Sequence, residues 1–228
     1  MQSDDRAGFF NLLFFDGGSR GDYGPEGSGS VIIKVNILTH AASFLWVASM
    51  AYGHPSTTNN VAEYRGLVHV LRQASACGYS LLHVVRNSSL VISQLRTYLP
   101  PRKHHLALLY REARTFADAI GVVSWGHHYR RYNKMEDHVA YIAMITCSSV
   151  QMSASSDRKE ITKIAVYLEN DVNHWLETSI EKQADLRRSP YDCQKTLSPA
   201  NKSSRADQLL EVITASPKGE AISECAQG

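Results

Sequence analysis

The segment Phe15-Asp16-Gly17-Gly18-Ser19-Arg20-Gly21 places a carboxylate at the end of an apolar run and then continues with glycines. A second segment, Thr58-Asn59-Asn60-Val61-Ala62-Glu63-Tyr64, places another carboxylate one turn into a predicted helix that opens with Thr and Asn, both common helix-capping residues. A third segment, Asn133-Lys134-Met135-Glu136-Asp137, opens a further predicted helix with a carboxylate. Acidic residues thus recur at strand ends and helix starts.

Hydrophobic patterning around these segments predicts strands and helices in a defined order. Short apolar runs bounded by glycine or turn residues indicate strands at residues 8–15, 28–36, 42–51, 81–86 and 121–129. Apolar residues at helical spacing indicate helices at residues 60–77, 88–98, 104–119 and 137–147. Gly78 stands where a left-handed helix cap is expected. The predicted fold class is α/β, with a five-stranded mixed sheet flanked by helices and a C-terminal helical extension.

Taken in this order, the acidic segments resemble the type 1 ribonuclease H domain, over about residues 9–147. The direct passage from residues 100–103 into the next helix resembles the short form of that family, which is common among archaeal and retroelement enzymes. The resemblance implies an RNase H-like fold and an endonuclease, a hydrolase that cuts the RNA strand of an RNA–DNA hybrid with two divalent ions, Mg2+ or Mn2+. It also implies that Asp16, Glu63 and Asp137 are catalytic, metal-binding residues.

The fourth catalytic and metal-binding position implied by the resemblance is Asn87, where the family has aspartate. An amide oxygen can coordinate Mg2+, but it adds no charge to a site whose ion affinity depends on anionic ligands. Asparagine at this position also serves as a helix cap. Restoring the carboxylate with Asn87→Asp is expected to tighten divalent-ion binding and to raise cleavage by at least about tenfold.

Two functions of different classes therefore stay open. The first is a hybrid-directed endoribonuclease that is impaired by Asn87, and the second is a catalytically silent module that binds nucleic acid or protein. An exonuclease or an integrase on the same fold is a third possibility, which the close match of residues 58–63 disfavours.

The resemblance also implies a set of substrate contacts. Recognition is expected to be independent of sequence, because groups that read 2′-hydroxyls across the minor groove distinguish RNA from DNA without a base code. Asp22-Tyr23 departs from the Asn-Pro that the family commonly has. The implied substrate-binding residues are Gly17, Gly18, Ser19, Asn59, Asn60, Arg130 and Asn133.

Beyond the resemblance, the chain changes character. Residues 148–157 read as a polar linker, residues 158–188 as an amphipathic helix, and residues 189–228 as a disordered tail rich in Pro, Ser and small residues. The apolar face of the helix is expected to pack on the domain, on another copy or on a partner. This face consists of Ile161, Ile164, Leu168, Val172, Trp175, Leu176 and Ile180.

Composition favours an intracellular globular protein and does not separate cytoplasm from nucleus. The polar, acidic amino end argues against export, and no apolar run approaches the roughly 18 residues of a membrane span. The net charge is only +2, so affinity for nucleic acid must come from local patches. The four cysteines lie far apart without a CxxC pair, which predicts neither a zinc site nor a disulfide framework.

Overall fold

Six strands and five α-helices form within the residues that the computed structural model describes, which are 8–19, 26–53, 58–153 and 158–187. A short 3-10 helix, Arg130–Tyr132, precedes the fourth α-helix. The strands are β1 Phe9–Ser19, β2 Glu26–Asn36, β3 Ala42–Tyr52, β4 Leu82–Arg86, β5 Ser124–His127 and β6 Val150–Ser153. The α-helices are α1 Asn59–Ala76, α2 Ser89–Arg96, α3 His104–Ile120, α4 Lys134–Thr146 and α5 Arg158–Arg187.

The strands form one mixed sheet in the order β5-β4-β1-β2-β3-β6. Strand β1 pairs antiparallel with β2 and parallel with β4, so it lies at the centre of the sheet. The parallel register that pairs Phe14 with Val85 places Asp16 of β1 beside the residues that follow β4. The predicted α/β class with a mixed sheet flanked by helices is confirmed.

The sixth strand corrects the predicted count of five. Strand β6 lies inside residues 148–157, which the sequence indicated as a linker, and pairs antiparallel with β3. An edge strand is held by backbone hydrogen bonds and needs no apolar face. Three of the four side chains of β6 are exposed, so its sequence lacks the apolar pattern that marks a strand. The predicted disordered tail, residues 189–228, lies outside the described residues.

Helices cover both faces of the sheet and bury two apolar clusters. On one face, α1, α2 and α3 pack over residues such as Leu13 and Ile32. On the other face, α4 and α5 pack over residues such as Phe10 and Val47. The predicted apolar face of α5 thus packs on this chain's own sheet, with four of its residues buried: Ile164, Val172, Trp175 and Leu176. No helix in the described ranges combines the length and hydrophobicity needed to cross a bilayer.

Helix α4 begins at Lys134, inside the segment that was expected to open it and three residues before its predicted range of 137–147. The reason lies in α5, because the Asp171 carboxylate accepts hydrogen bonds from the backbone amides of Lys134 and Met135 at 2.8 and 3.2 Å. Amides in the first turn of a helix have no partner within the helix, and an acceptor from another element satisfies them. Helix α5 therefore fixes the start of the helix that carries Asp137.

Candidate active site

The four residues predicted to be catalytic line one cleft of about 510 Å³, although they are far apart in sequence. Asp16 comes from β1, Glu63 from α1 and Asp137 from α4, and Asn87 directly follows β4. Their roles in catalysis and metal binding remain predictions.

Two glycines allow the helices that carry the acids to approach the sheet. A Cβ atom on Gly17 would lie 2.4 Å from the backbone nitrogen of Glu63, so α1 rests directly on the backbone of β1. A Cβ atom on Gly29 would lie 2.0 Å from the carbonyl oxygen of Glu136, so α4 approaches β2 in the same way on the other face. Any side chain at either position would push its helix away. The glycine that follows Asp16 is therefore explained by helix packing, in addition to its predicted contact with substrate.

Arg86 occupies the centre of the acidic group. Its Nη2 atom lies 2.7 Å from Oδ1 of Asp16 and 2.5 Å from Oε1 of Glu63. Only 2% of the Arg86 side chain is exposed, and the two acidic side chains are each 11% exposed. Charge-assisted bonds of this kind are about twice as strong as neutral hydrogen bonds. One guanidinium therefore bridges the two carboxylates in a nearly dry environment.

Burial and Arg86 act on these acids in opposite directions. Burial raises the pKa of Asp16, and the charge of Arg86 and the Gly17 amide oppose that rise. Burial raises the pKa of Glu63 to about 7, against the opposing effect of Arg86, while the charge of Asp16 adds to the rise. Loss of hydration disfavours the charged carboxylate, and a nearby cation favours it.

The other two predicted catalytic residues lie at the edge of this group. The side-chain amide of Asn87 donates to Oδ2 of Asp16 at 3.5 Å, and the backbone carbonyl oxygen of Asn87 lies 3.0 Å from Nε2 of His127, which donates to it. Asp137 accepts from the Arg130 guanidinium at 3.1 Å. Arg130 is 74% exposed, so this second ion pair lies at the open rim.

The predicted substrate-binding residues divide into those at the cleft and those elsewhere. Gly17, Gly18, Asn59 and Arg130 line the cleft. Asn60 follows Asn59 in α1 but does not line the cleft, and Asn133 is completely buried. The side chain of Ser19 and the Asp22-Tyr23 pair lie outside the described residues. Direct contact of Asn133 with substrate is therefore at odds with its burial.

Two ionisable residues were missed by sequence reasoning: Arg86, which lines the cleft, and Glu136, which does not. Arg86 ends an apolar strand directly before Asn87, and a charged residue at that position was the available signal. Glu136 is also fully buried, and neither of its carboxyl oxygens has a hydrogen-bond partner among the described residues. Burial, assisted by the charge of Asp16, raises the pKa of Glu136 well above its usual value.

The donors of this cleft do not fit two divalent ions. Three carboxylates and two guanidinium groups line it, and Asn87 supplies no charge. The space between Asp16 and Glu63 already holds a cation, and arginine does not lose its proton in proteins. Within the described ranges, no group of three or more His, Cys, Asp or Glu residues could hold a metal ion. The pair of ions implied by the resemblance is thus not matched by these side chains.

The segment that forms this cleft is similar to known proteins. Residues 15–143 match the family model described as reverse transcriptase-like. The bifunctional protein Rv2228c of Mycobacterium tuberculosis is 33% identical over 142 residues, as is an uncharacterized protein of Mycobacterium bovis. Each match covers 62% of this chain and 36% of the relative, so the chain spans about a third of their length.

Solved structures show the same similarity. The N-terminal RNase H domain of the Mycobacterium tuberculosis protein, solved as a fusion with maltose-binding protein, is 32% identical with a TM-score of 0.53. This match covers 60% of the present chain and 94% of the other. RNase H1 of the halophilic archaeon Halobacterium salinarum is 25% identical with a TM-score of 0.50, and the match covers 60% of this chain and 98% of the archaeal one.

Proposed function

We propose that this chain, which belongs to the reverse transcriptase-like family of ribonuclease H-like proteins, binds RNA–DNA hybrids but cuts them poorly. The observation that carries the proposal is the cleft itself, where Asp16, Glu63, Asn87 and Asp137 meet. These residues come from β1, α1, the turn after β4, and α4, and their order along the chain is that of the family's motifs.

Several features of the cleft suit a nucleic-acid backbone. Arg130 places an exposed guanidinium at the rim, and Asn59 presents an exposed amide side chain at the start of α1. A Cβ atom on Gly18 would meet only the end of the Met144 side chain, so there is space beside the backbone at Gly18. Contacts of this kind address phosphates and sugars and carry no base code. Binding that is independent of sequence follows.

Poor cleavage follows from the charges at the centre of the cleft. Hydrolysis by the implied two-ion chemistry needs anionic ligands that are free to face the ions. Here Asp16 and Glu63 face Arg86, Asp137 faces Arg130, and Asn87 is neutral.

The second candidate function is an Mg2+- or Mn2+-dependent endoribonuclease acting on RNA–DNA hybrids. The observation that favours it is that all three acids of the family motifs share one cleft. The two candidates predict the same binding and differ in turnover.

A binding experiment tests the proposal independently of metal. Fluorescence anisotropy in EDTA should give tighter binding to a labelled hybrid than to duplex DNA of the same sequence. Arg130→Ala should weaken hybrid binding several-fold through loss of a phosphate contact. Arg111→Ala is the matched control, because Arg111 is an exposed arginine of α3 that does not line the cleft.

A cleavage assay then separates the two candidates. Wild-type protein with low-millimolar Mg2+ or Mn2+ should leave most of a hybrid intact under conditions that saturate binding. Efficient cleavage of the RNA strand would favour the endoribonuclease, whereas equal affinity for hybrid and duplex DNA would contradict both candidates.

A further inference from the structure

We propose that Arg86 is a built-in cation of the cleft, whose guanidinium replaces a divalent ion between Asp16 and Glu63. The proposal concerns this chain's own side chains and does not depend on whether the chain binds hybrid. It rests on the position of Arg86, on its burial and on its fixed charge.

The position of the guanidinium is that of a shared counter-ion. A single nitrogen, Nη2, lies within hydrogen-bond distance of one oxygen from each acid. The two acids belong to different elements, β1 and α1, so the guanidinium links the central strand to the helix packed on it. A cation that entered between the same two oxygens would have to displace it.

The surroundings hold Arg86 in this place. Its guanidinium carbon lies 5.1 Å from the centre of the Phe15 ring, within the range of a cation–π contact. Its backbone carbonyl accepts from the amide of His128 at 2.9 Å, and Arg86 pairs with His127 in the parallel ladder between β4 and β5. The Arg86 side chain is therefore carried by a strand that is hydrogen-bonded to β1 on one side and to β5 on the other.

Two of the three guanidinium nitrogens of Arg86, Nε and Nη1, are buried without a hydrogen-bond partner among the described residues. Buried donors without partners carry a free-energy cost, which the bonds to Asp16 and Glu63 must offset. The two carboxylates are thus what keeps this charged group inside the protein.

Arginine suits this role because it cannot become neutral to admit another cation. Arginine side chains stay protonated in proteins, so the guanidinium keeps its positive charge. Adding a carboxylate at position 87 would leave the guanidinium in place. The structure therefore changes the expectation for Asn87→Asp, which alone should do little for metal binding.

A direct test measures Mn2+ binding without nucleic acid. Free Mn2+ is followed by electron paramagnetic resonance for the wild type, Asn87→Asp, and the double variant Arg86→Met with Asn87→Asp. Methionine replaces the apolar stem of arginine with a shorter unbranched side chain and removes the charge. The wild type and Asn87→Asp should bind weakly, whereas the double variant should bind at least about tenfold more tightly, with Mg2+ competing.

The matched control is Arg114→Met combined with Asn87→Asp. Arg114 is another buried arginine in an ion pair, with Asp118, and it does not line the cleft. This control should bind Mn2+ like Asn87→Asp alone. The proposal is overturned if Asn87→Asp alone matches the Arg86 double variant, or if that double variant folds and gains no affinity.

A measurement on the wild type covers the case in which the double variant does not fold. The Nη hydrogens of Arg86 should give a resolved signal in an arginine-selective ¹⁵N spectrum, because the group is buried and ion-paired. That signal should persist without shift when Mg2+ is raised to low millimolar levels. Its loss or displacement by Mg2+ would show that the guanidinium yields to the metal, and the proposal would fail.

Discussion

Two buried carboxylates, Asp16 in the cleft and Asp171 on α5, are stabilised by different kinds of partner. Asp171 is fully buried and accepts hydrogen bonds from two backbone amides at the start of α4. Asp16 is 8% exposed and accepts hydrogen bonds from the side chains of Arg86 and Asn87 and from the amide of Gly17, and only Arg86 brings a positive charge to it. Any helix start offers backbone amides, but only residue 86 supplies the guanidinium. The charge compensation of Asp16 therefore depends on the side chain at position 86, whereas Asp171 at the α4–α5 junction bonds to amides that any helix start offers.

The largest expected change in stability comes from a substitution in α5, the helix that carries Asp171. Trp175 is 3% exposed and packs against the rings of Phe10 and His83. Trp175→Ala should lower the free energy of unfolding by about 4 kcal/mol, because it leaves a cavity between α5 and the sheet. Urea denaturation measures the loss. Val166→Ala, at a position 72% exposed on the same helix, is the control and should change stability by less than about 0.5 kcal/mol.

A somewhat smaller effect, with a clear pH dependence, is expected in the cleft. Arg86→Met should destabilise the chain by about 3 kcal/mol near pH 8, because two buried carboxylates lose their counter-ion. The pKa of Glu63 is about 7 in the folded chain, against 4.5 as the ordinary value, and loss of Arg86 would raise it further. A raised folded-state pKa means that stability is greatest below the unfolded pKa and falls as pH rises through the folded pKa.

The stability lost in Arg86→Met should therefore shrink when urea denaturation is repeated at pH 5. Arg114→Met, which removes a buried arginine outside the cleft, should show a loss that changes less between the two pH values. A loss in Arg86→Met that is equal at pH 5 and pH 8 would mean that the guanidinium does not compensate these carboxylates.

The smallest expected effect tests the backbone cap from α5. Asp171→Ala should cost about 2 kcal/mol, because the amides of Lys134 and Met135 lose their acceptor at a helix N-terminus. Asp171→Asn keeps an oxygen acceptor and should lose less. Glu169→Gln, an exposed position two residues earlier, should be close to neutral in the same thermal or urea assay. Equal stability of Asp171→Ala and wild type would show that the hydrogen bonds from α5 do not stabilise the start of α4.

Much of the fold could be read from the sequence because periodicity and turn residues are local signals. The strand that carries Asp16 and the helix that starts before Glu63 were both predicted, although β1 continues past Asp16 to Ser19, and Gly78 does adopt a positive φ of 66°. Strand β6 could not be predicted, because it depends on its pairing with β3, which is distant in sequence. The contact of Asp171 with the start of α4 could not be predicted for the same reason.

The acids of the candidate site could be predicted from the sequence, but the position of Arg86 among them could not. Matched motifs identified which acids belong together, and the fold brings them to one cleft. The motifs carried no information about Arg86, because the pairing of its side chain with Asp16 and Glu63 arises from tertiary contacts. The same holds for Glu136, which is buried where α4 approaches β2 at Gly29.

The central claim is that a guanidinium, and not a metal ion, occupies the space between Asp16 and Glu63. The most direct measurement is anomalous diffraction from crystals of the wild-type chain soaked in Mn2+. We expect no manganese peak between these two carboxylates and clear density for the Arg86 guanidinium bonded to both. A manganese ion coordinated by Asp16 and Glu63, with Arg86 turned away, would contradict the account.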